Sequence, residues 1–132
     1  METFTKGRGL ECIFLPERFP EDILQQFILF GDEHPGKQNP YAFPLQREIL
    51  KMRLQTYLEA LEWSRKGYIV FIDRSLPGDY VFALLNYRLG NISEKDWQEY
   101  LSLLDGIDVL EPSALINLAA STPVLLTFFC AF

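Results

Sequence analysis

The chain has few of the residues that build metal sites and disulfide frameworks. Its 132 residues include two cysteines and one histidine, and neither His34 nor the cysteines have the spacing of a metal-ligand motif. Cys12 and Cys130 are better explained as reduced thiols of an intracellular core than as a disulfide. We therefore expect a cytoplasmic protein.

Basic residues are also scarce. The 12 Lys and Arg residues against 18 Asp and Glu residues give a formal net charge of -6. A nucleic-acid surface needs clustered Lys and Arg, so nucleic acid is not expected as a partner. The sequence shows no repeat, low-complexity tract or amino-terminal signal peptide. A hydrophobic content of 48% is ample for one core, and we expect residues 1–132 to form a single domain.

Short apolar runs alternate with helical patterns along the chain. Strands are predicted near Leu10 to Leu15, Tyr68 to Ile72 and Ala114 to Leu118, and helices near Glu21 to Phe30, Leu45 to Trp63, Gly78 to Leu89 and Glu94 to Leu104. This alternation favours an α/β fold with a parallel sheet flanked by helices. The strand from Tyr68 to Ile72 is apolar on both faces, which is typical of the middle of such a sheet.

Three polar residues follow directly after that strand. Ligands on open parallel sheets collect beyond the carboxyl ends of the strands, where Asp73, Arg74 and Ser75 stand. A carboxylate can hold a hard cation, a guanidinium can bind phosphate with two donors, and a serine can cap the next helix. The triplet therefore favours a metal and phosphate site, and a solvated ion pair beside a helix cap is the alternative.

A second pair of polar residues lies on the long helix. Gln46 and Arg53 are seven residues apart, which is two helical turns, so they share one face. An amide and a guanidinium aligned in this way can both reach the edge of a planar heterocycle. Two ordinary polar residues on the solvent side would have the same spacing.

Taken in order, several segments resemble the deoxynucleoside kinase family: Tyr41 to Gln46 with Arg53, Asp73 to Ala83, Asn86 to Ser93, and then Asp96, Trp97 and Tyr100. The resemblance extends from about Leu10 to Pro123 and depends on the order of these pieces. It implies a P-loop kinase-like fold, a deoxynucleoside substrate, ATP and Mg²⁺ as cofactors, and ATP-dependent 5'-phosphorylation in nucleotide salvage.

The resemblance also implies roles for single residues. Gln46 matches the residue that pairs with the base, and Arg53 matches an arginine that cooperates with an aspartate, here Asp79. An Arg and Asp pair there is more typical of members that take cytosine or purine deoxynucleosides than of those that prefer thymidine. Glu17, at the end of the first predicted strand, resembles the general base, and Arg74 is expected to act with it. Asp73 is the expected metal ligand.

One segment, Gly31 to Gln38, has nearly the spacing of a phosphate-binding loop. Gln38 replaces the Ser or Thr that would bind magnesium, no strand precedes the segment, and Asp32 and Glu33 would repel phosphate. We expect a surface connection instead. The family's phosphate loop would precede residue 1 and its arginine-rich lid would follow Pro123, so we expect weak or no kinase activity from this chain alone.

Two alternatives stay open. In the first, the chain is an inactive remnant, or a nucleoside-binding or interaction protein. In the second, which is less favoured, it is anchored to a membrane by residues 114–132, which carry no charge. Polar residues and Pro123 dilute that segment, and acids rather than bases precede it, so a membrane partner is not expected. A homodimer is compatible with the resemblance.

Overall fold

The computed structural model of this chain describes residues 2–5, 9, 11–107, 112–114, 116, 119 and 121. In chain order its elements are β1 (Glu2–Thr5), β2 (Glu11–Leu15), α1 (Glu21–Glu33), α2 (Ala42–Arg65), β3 (Ile69–Ile72), α3 (Leu76–Arg88) and α4 (Glu94–Asp105). All four predicted helices and two of the three predicted strands are confirmed, with shifted ends. The predicted strand from Ala114 to Leu118 and the uncharged tail lie mostly outside the described residues, as does Cys130.

The described strands form one sheet in the order β1-β2-β3. β2 and β3 are parallel, with Cys12 opposite Ile69 and Leu15 opposite Ile72. The α/β class with a parallel sheet is therefore confirmed. β1 adds an antiparallel strand that was not predicted, because its four residues contain no run of apolar side chains. Antiparallel strands tolerate such polar sequences, since only one of their faces needs to be covered.

β3 lies at the edge of the described sheet, but the third predicted strand, from Ala114 to Leu118, lies mostly outside the described residues, so the middle position expected for β3 stays a prediction. Val70 and Ile72 pack on the same side as buried Ile13 of β2. Ile69 and Phe71 point the other way and are each 41% exposed. An uninterrupted apolar run shows that a strand can be covered on both faces, but the run does not fix how many strands lie beside it.

α2 connects two apolar clusters. Near its start, Leu50 belongs to a cluster with buried residues of α3 and α4. Near its end, Ala60 packs against the sheet. The helix begins at Ala42 rather than Leu45, because Pro44 lies in its first turn, where proline removes no intrahelical hydrogen bond. This single helix therefore fixes the position of the sheet relative to the helical layer.

Three asparagines join the start of α2 to the α3–α4 connection. Asn39 is 4% exposed; its Nδ2 donates to the Phe27 carbonyl at 2.8 Å, and its backbone amide donates to Asn91 Oδ1 at 3.1 Å. Asn91 Nδ2 in turn donates to Asn86 Oδ1 at 3.2 Å. A buried amide group is stable only when it is hydrogen-bonded, so this network fixes the entry of α2 against α3.

Serine residues precede both later helices. Ser75 has an extended backbone before α3, which begins at Leu76, two residues earlier than predicted, with Pro77 in its first turn. Ser93 caps α4, since its side-chain oxygen accepts a hydrogen bond from the Asp96 amide at 3.2 Å.

No helix among the described residues is long and apolar enough to cross a membrane.

Candidate functional site

Glu17 lies just beyond the carboxyl end of β2. The parallel register places Leu15 opposite Ile72, so the residues that follow β2 and β3 emerge at the same edge of the sheet. Glu17 Oε1 lies 3.2 Å from Arg53 Nη2, and its Oε2 lies 2.7 Å from Arg74 Nε. The predicted catalytic pair, Glu17 and Arg74, is therefore in direct contact.

Arg53 is the centre of the site. Its Nε donates to Asp79 Oδ2 at 2.7 Å and its Nη2 donates to Asp79 Oδ1 at 3.1 Å, so the two side chains form a bidentate pair. Its Nη1 donates to the Asp73 carbonyl at 2.8 Å. Burial alone would lower the pKa of Arg53, but the hydrogen bond and charge of Asp79, followed by those of Glu17, raise it. One buried guanidinium thus joins α2 to both strand ends and to α3.

Asp79 reaches this position from the first turn of α3. Its backbone amide donates to the Ser75 carbonyl at 3.2 Å, and the residue is 6% exposed. A carboxylate so deeply buried needs a counter-charge, and Arg53 supplies it. The predicted cooperation between Arg53 and Asp79 agrees with this contact.

Arg74 has an unusual backbone conformation. Its φ is +65°, a left-handed value that side chains with a Cβ seldom adopt. The turn aims its guanidinium back at Glu17 and brings the group within 5.8 Å of the Phe19 ring centre. The Arg74 side chain is half exposed, so this guanidinium can contact a ligand as well as Glu17. Strained backbone of this kind concentrates at functional sites.

Gln46 occupies the face of α2 that the spacing predicts. It lies two turns before Arg53, and both residues are 4% exposed, so neither is a surface side chain. Its Oε1 atom has no hydrogen-bonding partner among the described residues. A buried carbonyl oxygen without a partner is costly, and its place beside the Arg53 cluster suits a ligand that brings a donor.

Asp73 is exposed, and its described contacts are made by its backbone. Its carbonyl accepts from Arg53, and its amide donates to the Leu15 carbonyl at 3.1 Å. No group of three or more His, Cys, Asp or Glu side chains suited to a metal occurs among the described residues. Magnesium is commonly held by one or two carboxylates together with substrate phosphates, and the exposed carboxylate of Asp73 fits that arrangement.

Sequence reasoning assigned no role to Tyr100 of α4. The residue is fully buried, and its hydroxyl oxygen is the second described side-chain atom that is buried without a partner. In the sequence it is one of the residues that carry the family resemblance, and it is a hydroxyl-bearing aromatic three residues after Trp97 on the apolar face of a helix. A phenylalanine would give the same pattern, so the hydroxyl cannot be singled out from the sequence.

The segment from Gly31 to Gln38 is a surface connection, as predicted. Gly31 lies in the last turn of α1, and a turn follows in which the Lys37 amide donates to the His34 carbonyl at 3.1 Å. A phosphate-binding loop needs a strand before it and a helix directly after it, whereas here a helix precedes the segment. This near match therefore does not contribute to the site.

Comparison with known proteins shows the family of the chain. The family model described as deoxynucleoside kinase matches residues 33–127, which include Gln46, Arg53, Asp73, Arg74 and Asp79. A deoxyguanosine kinase from Dictyostelium discoideum is 38% identical over 66 residues, and the match covers 49% of this chain and 23% of that protein's length. No solved structure matches the chain. Because the family model covers well over half of the sequence, the chain belongs to the deoxynucleoside kinase family.

Proposed function

We propose that this chain binds a deoxynucleoside and directs its 5'-hydroxyl toward Glu17 for phosphorylation by ATP. The observation that carries the proposal is the contact of the Glu17 carboxylate with both Arg53 and Arg74, at the strand end where the family has its general base. Each carboxylate oxygen has a further lone pair, so Glu17 can accept the hydroxyl proton without losing either arginine. General base catalysis needs a carboxylate within hydrogen-bonding reach of that proton.

In this proposal, Gln46 recognises the base of the nucleoside. Its buried Oε1 needs a donor, and an amino or ring N–H group of a nucleobase is such a donor. Arg53 and Asp79 neutralise each other beside it, so the site suits an uncharged heterocycle. By its resemblance to other members, the Arg53 and Asp79 pair favours cytosine or purine deoxynucleosides over thymidine. The name of the Dictyostelium relative agrees with a purine substrate.

In this proposal, the residues that follow β3 contact the phosphates of ATP and Mg²⁺. Arg74 is half exposed and Asp73 is exposed, so both are accessible to the phosphates of ATP and to Mg²⁺. When bound, Mg²⁺ neutralises charge that develops on the transferred phosphoryl group. Arg74 would stabilise the same charge, and Glu17 would receive the proton of the attacking hydroxyl.

The test separates binding from transfer. Purified chain is titrated calorimetrically with deoxycytidine, deoxyadenosine, deoxyguanosine and thymidine, and ADP formation is then measured with ATP and Mg²⁺. Glu17→Gln should keep nucleoside binding but lose transfer, and Glu62→Gln, an exposed acid on α2, is the matched control. Gln46→Ala should weaken binding about 10-fold, the equivalent of one hydrogen bond, and exposed Gln55→Ala should not.

The outcomes distinguish the two functions that the sequence leaves open. Binding together with Glu17-dependent ADP formation supports the kinase. Binding without ADP formation agrees with the weak or absent kinase activity expected of this chain alone, and supports a nucleoside-binding protein. If the chain binds none of the four nucleosides, both functions are refuted.

We also propose that the protein forms a homodimer in the cytoplasm. Three apolar residues of α3 and the leucine that directly follows it are about half exposed or more: Val81, Phe82, Leu85 and Leu89. A monomeric soluble protein seldom exposes so large an apolar stripe on one helix. Light scattering coupled to gel filtration should give twice the chain mass, and Leu85→Glu should halve it. A monomer at all concentrations contradicts the dimer.

A further inference from the structure

Tyr100 is a fully buried tyrosine, and nothing in the described structure explains why this position carries a hydroxyl group. It is 0% exposed, and its ring is stacked on Trp97 with a centre-to-centre distance of 5.7 Å and an angle of 13° between the planes. Phenylalanine would fill the same space and make the same stacking contact. Packing therefore explains the ring and leaves the hydroxyl unexplained.

The hydroxyl is costly where it lies. A buried hydroxyl without a hydrogen bond loses its contact with water and gains nothing in return. In the part of the chain that the structure describes, Gln46 Oε1 is the one other side-chain polar atom in this condition. Arg53, Asp79 and Glu17, by contrast, are all hydrogen-bonded. The two unpaired atoms therefore differ from the side-chain polar atoms of Arg53, Asp79 and Glu17, which are hydrogen-bonded.

Tyr100 belongs to the same part of the molecule as the nucleoside site. It packs in one apolar cluster with Leu50 of α2 and Ala83 of α3, the helices that carry Gln46 and Asp79. Burial chiefly, and the charge of Asp79 next, raise the pKa of the Tyr100 hydroxyl. The hydroxyl is thus within electrostatic reach of Asp79 and stays protonated at neutral pH, so it can donate a hydrogen bond.

We propose that Tyr100 is a specificity-determining residue whose hydroxyl donates to an acceptor atom of the nucleobase, while Gln46 Oε1 accepts from a base N–H group. This inference rests on the proposed function. Nucleobases carry both kinds of group on their edges, whereas an apolar ligand carries neither. When the base binds, the Tyr100 hydroxyl would gain an acceptor and Gln46 Oε1 would gain a donor. The unpaired atoms therefore destabilise the free protein, and in the complex they favour a ligand that can hydrogen-bond to both of them.

Tyr100→Phe tests the inference, because it removes the hydroxyl and keeps the ring. The midpoint of thermal unfolding is measured without ligand, and the dissociation constants of deoxyguanosine and deoxycytidine are measured by calorimetry. We expect the midpoint of the free protein to rise and the affinity for a nucleoside that binds to fall about 10-fold. Tyr57→Phe, a half-buried tyrosine packed on the same cluster, is the control and should change neither.

Each other result contradicts the inference. Unchanged nucleoside affinity in Tyr100→Phe means that the hydroxyl does not touch the base. A lower midpoint with unchanged affinity means that an internal water holds the hydroxyl and that its role is structural. Binding by the unsubstituted chain is measured first: if it is absent, the proposed function is refuted together with this inference, whereas binding that Tyr100→Phe leaves intact refutes the inference alone.

Discussion

Replacing Arg53 by methionine should destabilise the fold strongly. The Arg53 and Asp79 side chains are 3% and 7% exposed, and Arg53 makes a two-bond contact with that carboxylate. Methionine has a similar length but no charge, so Asp79 would be left buried without its partner. Breaking a buried ion pair on one side costs about 3–5 kcal/mol. Glu17 keeps its 2.7 Å contact with Arg74, so most of the cost comes from Asp79.

The companion variant removes both charges. Arg53→Met with Asp79→Leu leaves no buried charge, and replacing a buried pair by apolar residues is often close to neutral. The double variant should therefore recover more than half of the loss caused by Arg53→Met alone. Arg65→Met, at the exposed end of α2, is the control for the substitution itself.

Urea unfolding followed by tryptophan fluorescence measures these differences. With a slope near 2 kcal/mol per molar urea, Arg53→Met should lower the midpoint by about 2 M. A loss of less than about 1 kcal/mol would refute the reasoning, since it would mean that Asp79 is solvated or protonated. A double variant no more stable than Arg53→Met would refute it too.

Three further predictions concern other parts of the chain. Arg74→Gly relieves a left-handed backbone strain of about 1 kcal/mol and removes a half-exposed ion pair of about 0.2–1 kcal/mol. Urea unfolding should therefore change little, while any ADP formation that the unsubstituted chain supports is lost, and a large destabilisation would contradict this. Ser93→Ala removes the α4 cap and should cost about 1 kcal/mol in urea unfolding, whereas an equal loss in exposed Ser102→Ala would argue against a capping effect. The hydrogen bond from the Tyr87 hydroxyl is the main cause of the lowered pKa of Glu94. The contribution of ionised Glu94 to the stability of the fold is therefore complete above the ordinary pKa of a glutamate and is lost as pH falls through the lowered pKa. Glu94→Gln should flatten the decline of the thermal midpoint in acid, and an unchanged decline would show that other groups cause it.

Local sequence patterns predicted the parts of the site that one element defines. Gln46 and Arg53 lie on one helical face because seven residues make two turns, and both are buried there. Asp73 and Arg74 follow an apolar strand, and the structure places them at its end. Helix limits were predicted within a few residues for the same reason, since apolar spacing and capping residues are local.

Contacts between distant segments were beyond what the patterns could show. Arg53 reaches Glu17 across 36 residues and Asp79 across 26, and only the resemblance linked any of these three residues to another. The pairing of β1 with β2 and the unpaired hydroxyl of Tyr100 depend on neighbours that no local pattern specifies. Such features arise from tertiary packing, which overrides local propensity.

Arg53 and Gln46 differ in how many hydrogen bonds they make within the protein, and this difference has a consequence for evolution and protein engineering. Arg53 is bonded to three other residues, so a mutation that alters base preference there also removes support for the fold. Gln46 holds an oxygen that no described residue uses, so a substitution of similar size that removes this oxygen breaks no described hydrogen bond to it. Natural drift and designed libraries should therefore change substrate preference first at Gln46, and reach Arg53 only in backgrounds with stability to spare.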